Sequence, residues 1–253
     1  MGRGALRIVA VVAAVLAASP LLSPAHAGDI RVRADYVEAA PLKDRLFFFA
    51  GANVARDSYF GWAGVVGAPQ GLLDQDGPRI RISGGGGRYR YDTSATAGGT
   101  NSGQIVSGEI LLGFRRSIGS ASVTAYLGAH AEDQRLDAPD PGNPTAGTEF
   151  GVKAALEFFV RPAPTWTWSA SAVASTVHRS YHAHASLARE FMPGVAFGIE
   201  GAVHGDARYV EPRAGILAHM TFGRSVVTLS GGVLSNSDDG SGAYATLSLY
   251  APY

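Results

Sequence analysis

The 253-residue chain has no cysteine, and its 21 Lys and Arg are balanced by 21 Asp and Glu. Disulfide stapling and thiol chemistry are therefore excluded, and with no basic excess to neutralise phosphates, nucleic acid is not expected as a partner. Gly at 33, Tyr at 10 and Phe at 11 favour strands over helices.

The chain opens MGRGALRIVAVVAAVLAASPLLSPAHAGD, where Arg3 and Arg7 precede an apolar run over 8–18 and Ala25 and Ala27 supply small residues before Gly28. This pattern predicts a secretory signal peptide over 1–27, cut before Gly28. Its apolar core is shorter than the roughly 20 residues of a spanning helix, and no later stretch of that length lacks charges or Gly. Export without a helical anchor is expected. Residues 28–45 would form a periplasmic N-terminal segment and 46–253 one large β-domain.

From there, apolar residues recur at every second position rather than at helical spacing. Twelve strands are predicted, at 46–54, 58–66, 79–91, 104–114, 122–130, 149–160, 165–175, 181–191, 195–204, 213–222, 225–234 and 243–250. Most have the length that a tilted strand needs to cross a bilayer. Pro and Gly gather in the connections. SGGGGRY (83–89) is the exception, and it predicts a bend or bulge in the third strand where neighbouring groups approach closely; a loop is the competing reading.

The connections alternate in length. With the N-terminus on the periplasmic side, RRSIGS (115–120), RPAP (161–164), MPG (192–194) and GR (223–224) are short inner turns. DTSATAGGTNS (92–102), AEDQRLDAPDPGNPTAGT (131–148), GDARYVEP (205–212) and SNSDDGSG (235–242) are longer, polar outer loops. Outer-membrane barrels separate turns from loops in this way. ARD (55–57) and GAPQGLLDQDGP (67–78) break the rule.

Alternation assigns the faces. In the eighth strand His182, His184, Ser186 and Glu190 share one face, and Tyr181, Leu187 and Phe191 the other. A soluble sandwich would alternate in the same way. Aromatic residues near strand ends (Phe47, Tyr59, Tyr89, Tyr91, Phe114, Phe158, Phe159, Trp166, Trp168, Tyr181, Phe191, Phe222, Tyr244 and Tyr250) favour interface belts instead. The predicted fold is all-β: a transmembrane antiparallel up-and-down β-barrel of about twelve strands, in outer-membrane lipid, closed because lipid offers no partner to an unpaired N–H or C=O. Its lumen would be wider than that of eight strands and narrower than a sixteen-stranded porin's.

The lumen-facing polar set is Arg79, Arg81, Glu109, Lys153, Glu157, His182, His184, Glu190, Glu200, Arg213 and His219. Trp62, Trp166 and Trp168 could stack on sugar rings while Glu109 and Glu157 bind hydroxyls, but interface anchoring is favoured for the tryptophans. His182 and His184, with Glu200 or His204, make only a two-histidine core without a recognisable third ligand, so no metal is expected. The Gly-rich stretches have no helix behind them and cradle no phosphate, so no cofactor is expected either. Ser186, His184 and Glu200 could serve as nucleophile, base and orienting carboxylate. That set resembles outer-membrane lipid A deacylases, yet His182 and Glu190 on the same face should not meet acyl chains. A non-enzymatic protein is expected, with an acyl hydrolase or a general porin as the alternatives.

The segments FFFAGANVARDSYFGWAGVVGAP (47–69), DGPRIRISGGGGRYRYDT (76–93), AYLGAHAEDQRLDAPDP (125–141), GTEFGVKAALEFF (147–159) and VEPRAGILAHMTFGR (210–224) together resemble the BcsS family of cellulose biosynthesis proteins. The resemblance covers roughly 46–253 and lies in overall pattern rather than in a catalytic signature. It implies an outer-membrane protein accessory to cellulose production or export in Gram-negative cells, with cellulose or the synthase and export machinery as partners. It brings no catalytic residues.

Overall fold

The computed structural model describes residues 44–207, 209–237 and 240–253. The predicted signal peptide and the N-terminal segment up to residue 43 lie outside the described residues. The rest is one closed ring of twelve antiparallel strands: β1 (Leu46–Ala55), β2 (Ser58–Gly67), β3 (Gly77–Asp92), β4 (Thr100–Ile118), β5 (Ala121–Leu136), β6 (Gly147–Ala163), β7 (Trp166–Ser175), β8 (Tyr181–Met192), β9 (Val195–Gly205), β10 (Val210–Phe222), β11 (Ser225–Asn236) and β12 (Gly240–Pro252). Each strand pairs with its sequence neighbours. β12 closes on β1 through a ladder running from Phe47 opposite Pro252 to Ala55 opposite Tyr244.

All twelve predicted strands are present. β4, β5 and β6 extend well past their predicted ends, to 100–118, 121–136 and 147–163. The added residues are mostly polar on both faces, so hydropathy stops alternating there although backbone pairing continues. Side-chain bonds hold these extensions together, among them Arg88 to Asp137 at 2.6 Å and Thr148 to Asp133 at 2.6 Å.

The glycine run departs from expectation in an instructive way. Ser83–Gly87 keeps unbroken register with β2 and with β4, so there is neither a bulge nor a loop. The close approach is real. A Cβ at Gly85 would lie 2.6 Å from the Phe60 ring, and Gly87 stands directly opposite Phe60. Gly51 likewise faces Trp62, Gly64 faces Phe49, and Gly113 faces Tyr126 across a ladder. A β-carbon at any of these three would collide with the facing ring. The glycines let inward-pointing rings lie flat along the wall.

Burial is inverted relative to a soluble protein, which hides apolar side chains and wets charged ones. Phe150 is 78 % exposed and Ile216 71 %, while Arg81 and Lys153 are each only 3 % exposed. Phe48, Ile82, Ile110, Leu127, Ile199 and Val233 also point outward. Such an apolar outer wall around an ionised interior is the surface of a lipid-spanning barrel and not of a sandwich.

The aromatic belts are smaller than expected. Tyr59, Phe114, Trp166, Trp168, Phe191 and Phe222 do face outward, and the Arg189 guanidinium sits over the rings of Trp166 and Phe191. Phe47, Tyr89, Tyr91, Phe159, Tyr244 and Tyr250 are instead buried inside, as is Trp62, which is therefore not an interface anchor. Strand parity decides direction, whatever the distance from the strand end. Replacing outward Ile216 by Arg should cost about 2–4 kcal/mol in stability if the residue lies near the bilayer midplane, measured by denaturant unfolding in lipid vesicles, whereas Ile216→Leu should be close to neutral.

Candidate functional site: the barrel lumen

Every strand contributes inward residues that are less than 9 % exposed, from Asn53 on β1 through His130 on β5 and Ser186 on β8 to Ser248 on β12. Strand alternation aims these side chains inward, and several of their partners lie on strands that are not neighbours.

One half is organised by ion pairs. Arg81 on β3 places Nε 3.0 Å from Glu109 Oε1 on β4 and Nη1 2.8 Å from Glu157 Oε1 on β6. Lys153 Nζ on β6 lies 2.6 Å from Glu109 Oε2, and the Ser83 hydroxyl donates to Glu109 Oε1 at 2.7 Å. The Arg81 guanidinium also sits 4.7 Å from the centre of the Tyr126 ring. Two cations and two carboxylates thus cancel in a dry interior, where a lone charge would be costly. Because β4 and β5 separate β3 from β6, the Arg81–Glu157 pair crosses the barrel interior.

The other half is held by histidines and hydroxyls. Tyr244 on β12 donates to Glu200 Oε1 on β9 at 2.6 Å, and His184 Nε2 lies 3.5 Å from Glu200 Oε2. Arg213 Nε donates to Glu211 Oε1 at 2.7 Å, and Arg213 Nη1 reaches Asn53 on β1 at 3.2 Å. His204 Nε2 lies 3.3 Å from Glu211, and His219 pairs with Thr228 at 2.7 Å. The His182 and His204 rings stand 6.1 Å apart. Among the described residues no three His, Cys, Asp or Glu side chains converge as a metal site would require.

The serine–histidine–glutamate set is only partly assembled. His184 and Glu200 approach, but Ser186 Oγ pairs with Ser169 Oγ at 2.8 Å. All three are buried in the lumen rather than facing the outer wall. Glu190 is the lumen residue that needs correction: it is exposed at the rim and accepts from the Gly194 N–H at 2.9 Å, closing the 193–194 turn. It keeps its regular pairing with Ala196, but it lies at the end of β8, past the packed interior, where its side chain is exposed. Arg79 is inward but serves a loop. Its guanidinium donates to the carbonyls of Leu72 (3.3 Å), Leu73 (3.0 Å) and Gln75 (2.5 Å).

That loop is the long connection 68–76, which broke the alternation of lengths. It folds across the end of the barrel that carries the termini, with Leu73 buried, Leu73 N–H bonded to Asp44 O at 2.8 Å and Arg115 donating to Asp74 O at 2.7 Å. Beside it is a small cavity of about 40 Å³, with Leu73, Arg79, Tyr126, Glu157 and Phe159 in its walls. At the opposite end a single 3-10 turn (Val177–Arg179) packs inward, with Val177 fully buried and His178 Nδ1 2.8 Å from Glu149 Oε2.

The family model described as cellulose biosynthesis protein BcsS matches residues 47–253, nearly the whole described barrel. The chain belongs to this family. No curated protein matches it. Among solved structures, the COG4313 outer membrane channel from Pseudomonas putida F1 is similar to this BcsS-family chain with a TM-score of 0.56 at 15 % identity, over 88 % of this chain and 100 % of that one. The KdgM porin is similar at a TM-score of 0.45 and 6 % identity, over 82 % of this chain and 99 % of that one. At these identities the likeness concerns fold.

Several lumen residues of the BcsS-family barrel escaped sequence reasoning, among them Asn53, Tyr126, Glu211 and Tyr244. Parity would have found Asn53, Tyr126 and Tyr244, which lie in predicted strands, whereas Glu211 fell in a predicted loop that turned out to belong to β10. Nothing in the local sequence showed that the 68–76 loop turns inward.

Breaking the ion network at its centre should be severe. Glu109→Gln leaves Arg81 and Lys153 under-compensated and should cost about 3–5 kcal/mol, read by unfolding in vesicles, with the Glu109→Gln/Lys153→Met double variant recovering part of the loss. The loop anchor should respond to acid. Hydrogen bonds from the Ser117 hydroxyl and N–H, helped by Arg116 and Arg115, hold the Asp76 carboxyl below its ordinary value of 3.8. A lowered folded pKa means the anchor is complete above that value and is lost as pH falls through the lowered one. Amide exchange in 68–76 should therefore show less protection at strongly acidic pH than near neutrality, once intrinsic exchange rates are corrected for, and Asp76→Asn should abolish the difference.

Proposed function

We propose that this BcsS-family protein is a non-enzymatic accessory of cellulose production, exported to the outer membrane, where it anchors or positions the synthesis and export machinery rather than forming an open conduit. The observation that carries this reading is the dry lumen. A water-filled pore leaves its lining wet, yet every strand here has inward residues less than 9 % exposed, and Arg81–Glu157 and Tyr244–Glu200 link strands that are not neighbours. A glucan chain would have to break those bonds to pass.

The non-enzymatic part is supported by the engagement of Ser186 with Ser169 inside the barrel, away from acyl chains. The outer-membrane part is supported by the apolar exterior and by the fold.

Removing the gene should lower the mass of secreted cellulose, and an unchanged yield would sink the accessory role. The purified barrel should be electrically silent in planar bilayers; steady ohmic conductance would favour a porin. Ser186→Ala should leave the acyl pattern of lipid A as it is in wild type, and an altered pattern would revive the hydrolase reading.

A further inference from the structure

The outer wall carries a guanidinium in the middle of an aromatic frame. Arg189, near the end of β8, is exposed and shares the outward face of that strand with Leu187 and Phe191. The ladders set it directly opposite Trp166 on β7 and Phe197 on β9. Its Cζ lies 5.7 Å from the centre of the Trp166 ring and 5.5 Å from that of Phe191, and the Phe191 and Phe197 rings stand 6.0 Å apart. Cation–π attraction to these rings holds the guanidinium against the wall.

Rings attract the charge but do not cancel it. At the same end of the barrel Arg116 pairs with Asp76 and Arg224 with Asp44. Among the described residues no carboxylate pairs with Arg189, and the adjacent Glu190 is engaged with the Gly194 N–H. At the edge of the hydrocarbon a cation without a counter-ion is costly, so the neutralising group has to come from the lipid that covers this wall. The anion available at the depth of an aromatic belt is the phosphodiester of a glycerophospholipid. A guanidinium offers paired N–H donors that match two phosphate oxygens, and the Trp166 indole N–H is a further donor in the same frame. Toward the bilayer centre the same two strands present Ala170 opposite Ala185 and Ala172 opposite Ala183, low side chains over which acyl chains can lie. A zwitterionic headgroup brings its own cation, whereas a headgroup of net negative charge cancels that of Arg189.

We propose that Arg189, framed by Trp166, Phe191 and Phe197, is a binding site for one anionic glycerophospholipid, whose phosphodiester sits on the guanidinium in the leaflet at the terminus-bearing end. The site needs the lipid-spanning barrel and is independent of the accessory role.

The test is native mass spectrometry of the full-length protein in a non-ionic detergent, titrated with phosphatidylglycerol, with phosphatidylethanolamine or diacylglycerol of the same acyl chains, and with inorganic phosphate. Phosphatidylglycerol should give a one-to-one adduct at concentrations where the other three do not. Arg189→Gln should weaken that adduct about tenfold or more, the worth of a hydrogen bond to a charged group. Arg189→Lys, which keeps the charge but loses the paired donors, should fall between the two, and Arg224→Gln, which removes an equal charge from the same end, should bind as wild type does. If Arg189→Gln fails to fold, judged by heat-modifiable migration on gels, Arg189→Lys and Trp166→Leu carry the test, and both should weaken the adduct. Absence of the phosphatidylglycerol adduct overturns the site, as does unchanged affinity in the folded variants, equal retention of diacylglycerol or an equal loss in Arg224→Gln. Equal retention of phosphatidylethanolamine overturns the anionic assignment, and displacement of the lipid by inorganic phosphate overturns the lipid in favour of a free-anion site. The accessory role is decided separately by the cellulose yield of the deletion strain.

Discussion

The ladder between β1 and β12 is the constraint on which the rest of the structure depends. In lipid an unpaired backbone group has no water to turn to, and each one costs several kcal/mol. A twelve-stranded sheet with two free edges could not remain there. Once the ring is closed, every strand has one face toward lipid and one toward the interior, and a two-residue period becomes a division between apolar and ionised surfaces. Phe150 and Ile216 lie outside that division, and Arg81 and Glu200 inside it.

Closure also creates a space that has to be filled. Side chains from facing walls meet in it, so the interior behaves as a polar core and follows core rules: charges pair and hydroxyls find partners. Arg81, Glu109, Lys153 and Glu157 satisfy one another, and Tyr244 reaches Glu200 across two strands. Glycines opposite Phe49, Phe60, Trp62 and Tyr126 give the rings room to lie against the wall. These ties link non-neighbouring strands through the interior.

The two ends differ in construction. At the terminus-bearing end most turns are minimal, and the one long loop is folded back into the mouth by Arg79 and Arg115. At the far end, extended strands carry polar networks such as Thr93 and Tyr91 on Asp140.

Strand number, the alternation of apolar and polar faces and the short turns were legible in the sequence, because all three follow from a local period, although several aromatics expected in the belts proved to face inward. Arg81, Glu109, Lys153, His182, His184 and Glu200, which parity alone assigns to the interior, are buried. Their partners were not legible: Arg81 meets Glu157 over a separation of 76 residues, and Tyr244 meets Glu200 over 44. Such distances across the ring depend on strand count, tilt and stagger acting together. The glycine run reads as a bend or bulge in isolation, while the structure keeps it in register and sets the Phe60 ring against it. Glu190 keeps its pairing with Ala196 but is exposed, because the packed interior stops short of the end of β8. The sequence by itself determined a closed barrel with charges inside, since period and closure are dictated by backbone hydrogen bonding in lipid. Only the tertiary structure decided that the interior is tied shut, since that depends on which walls the closed ring brings face to face.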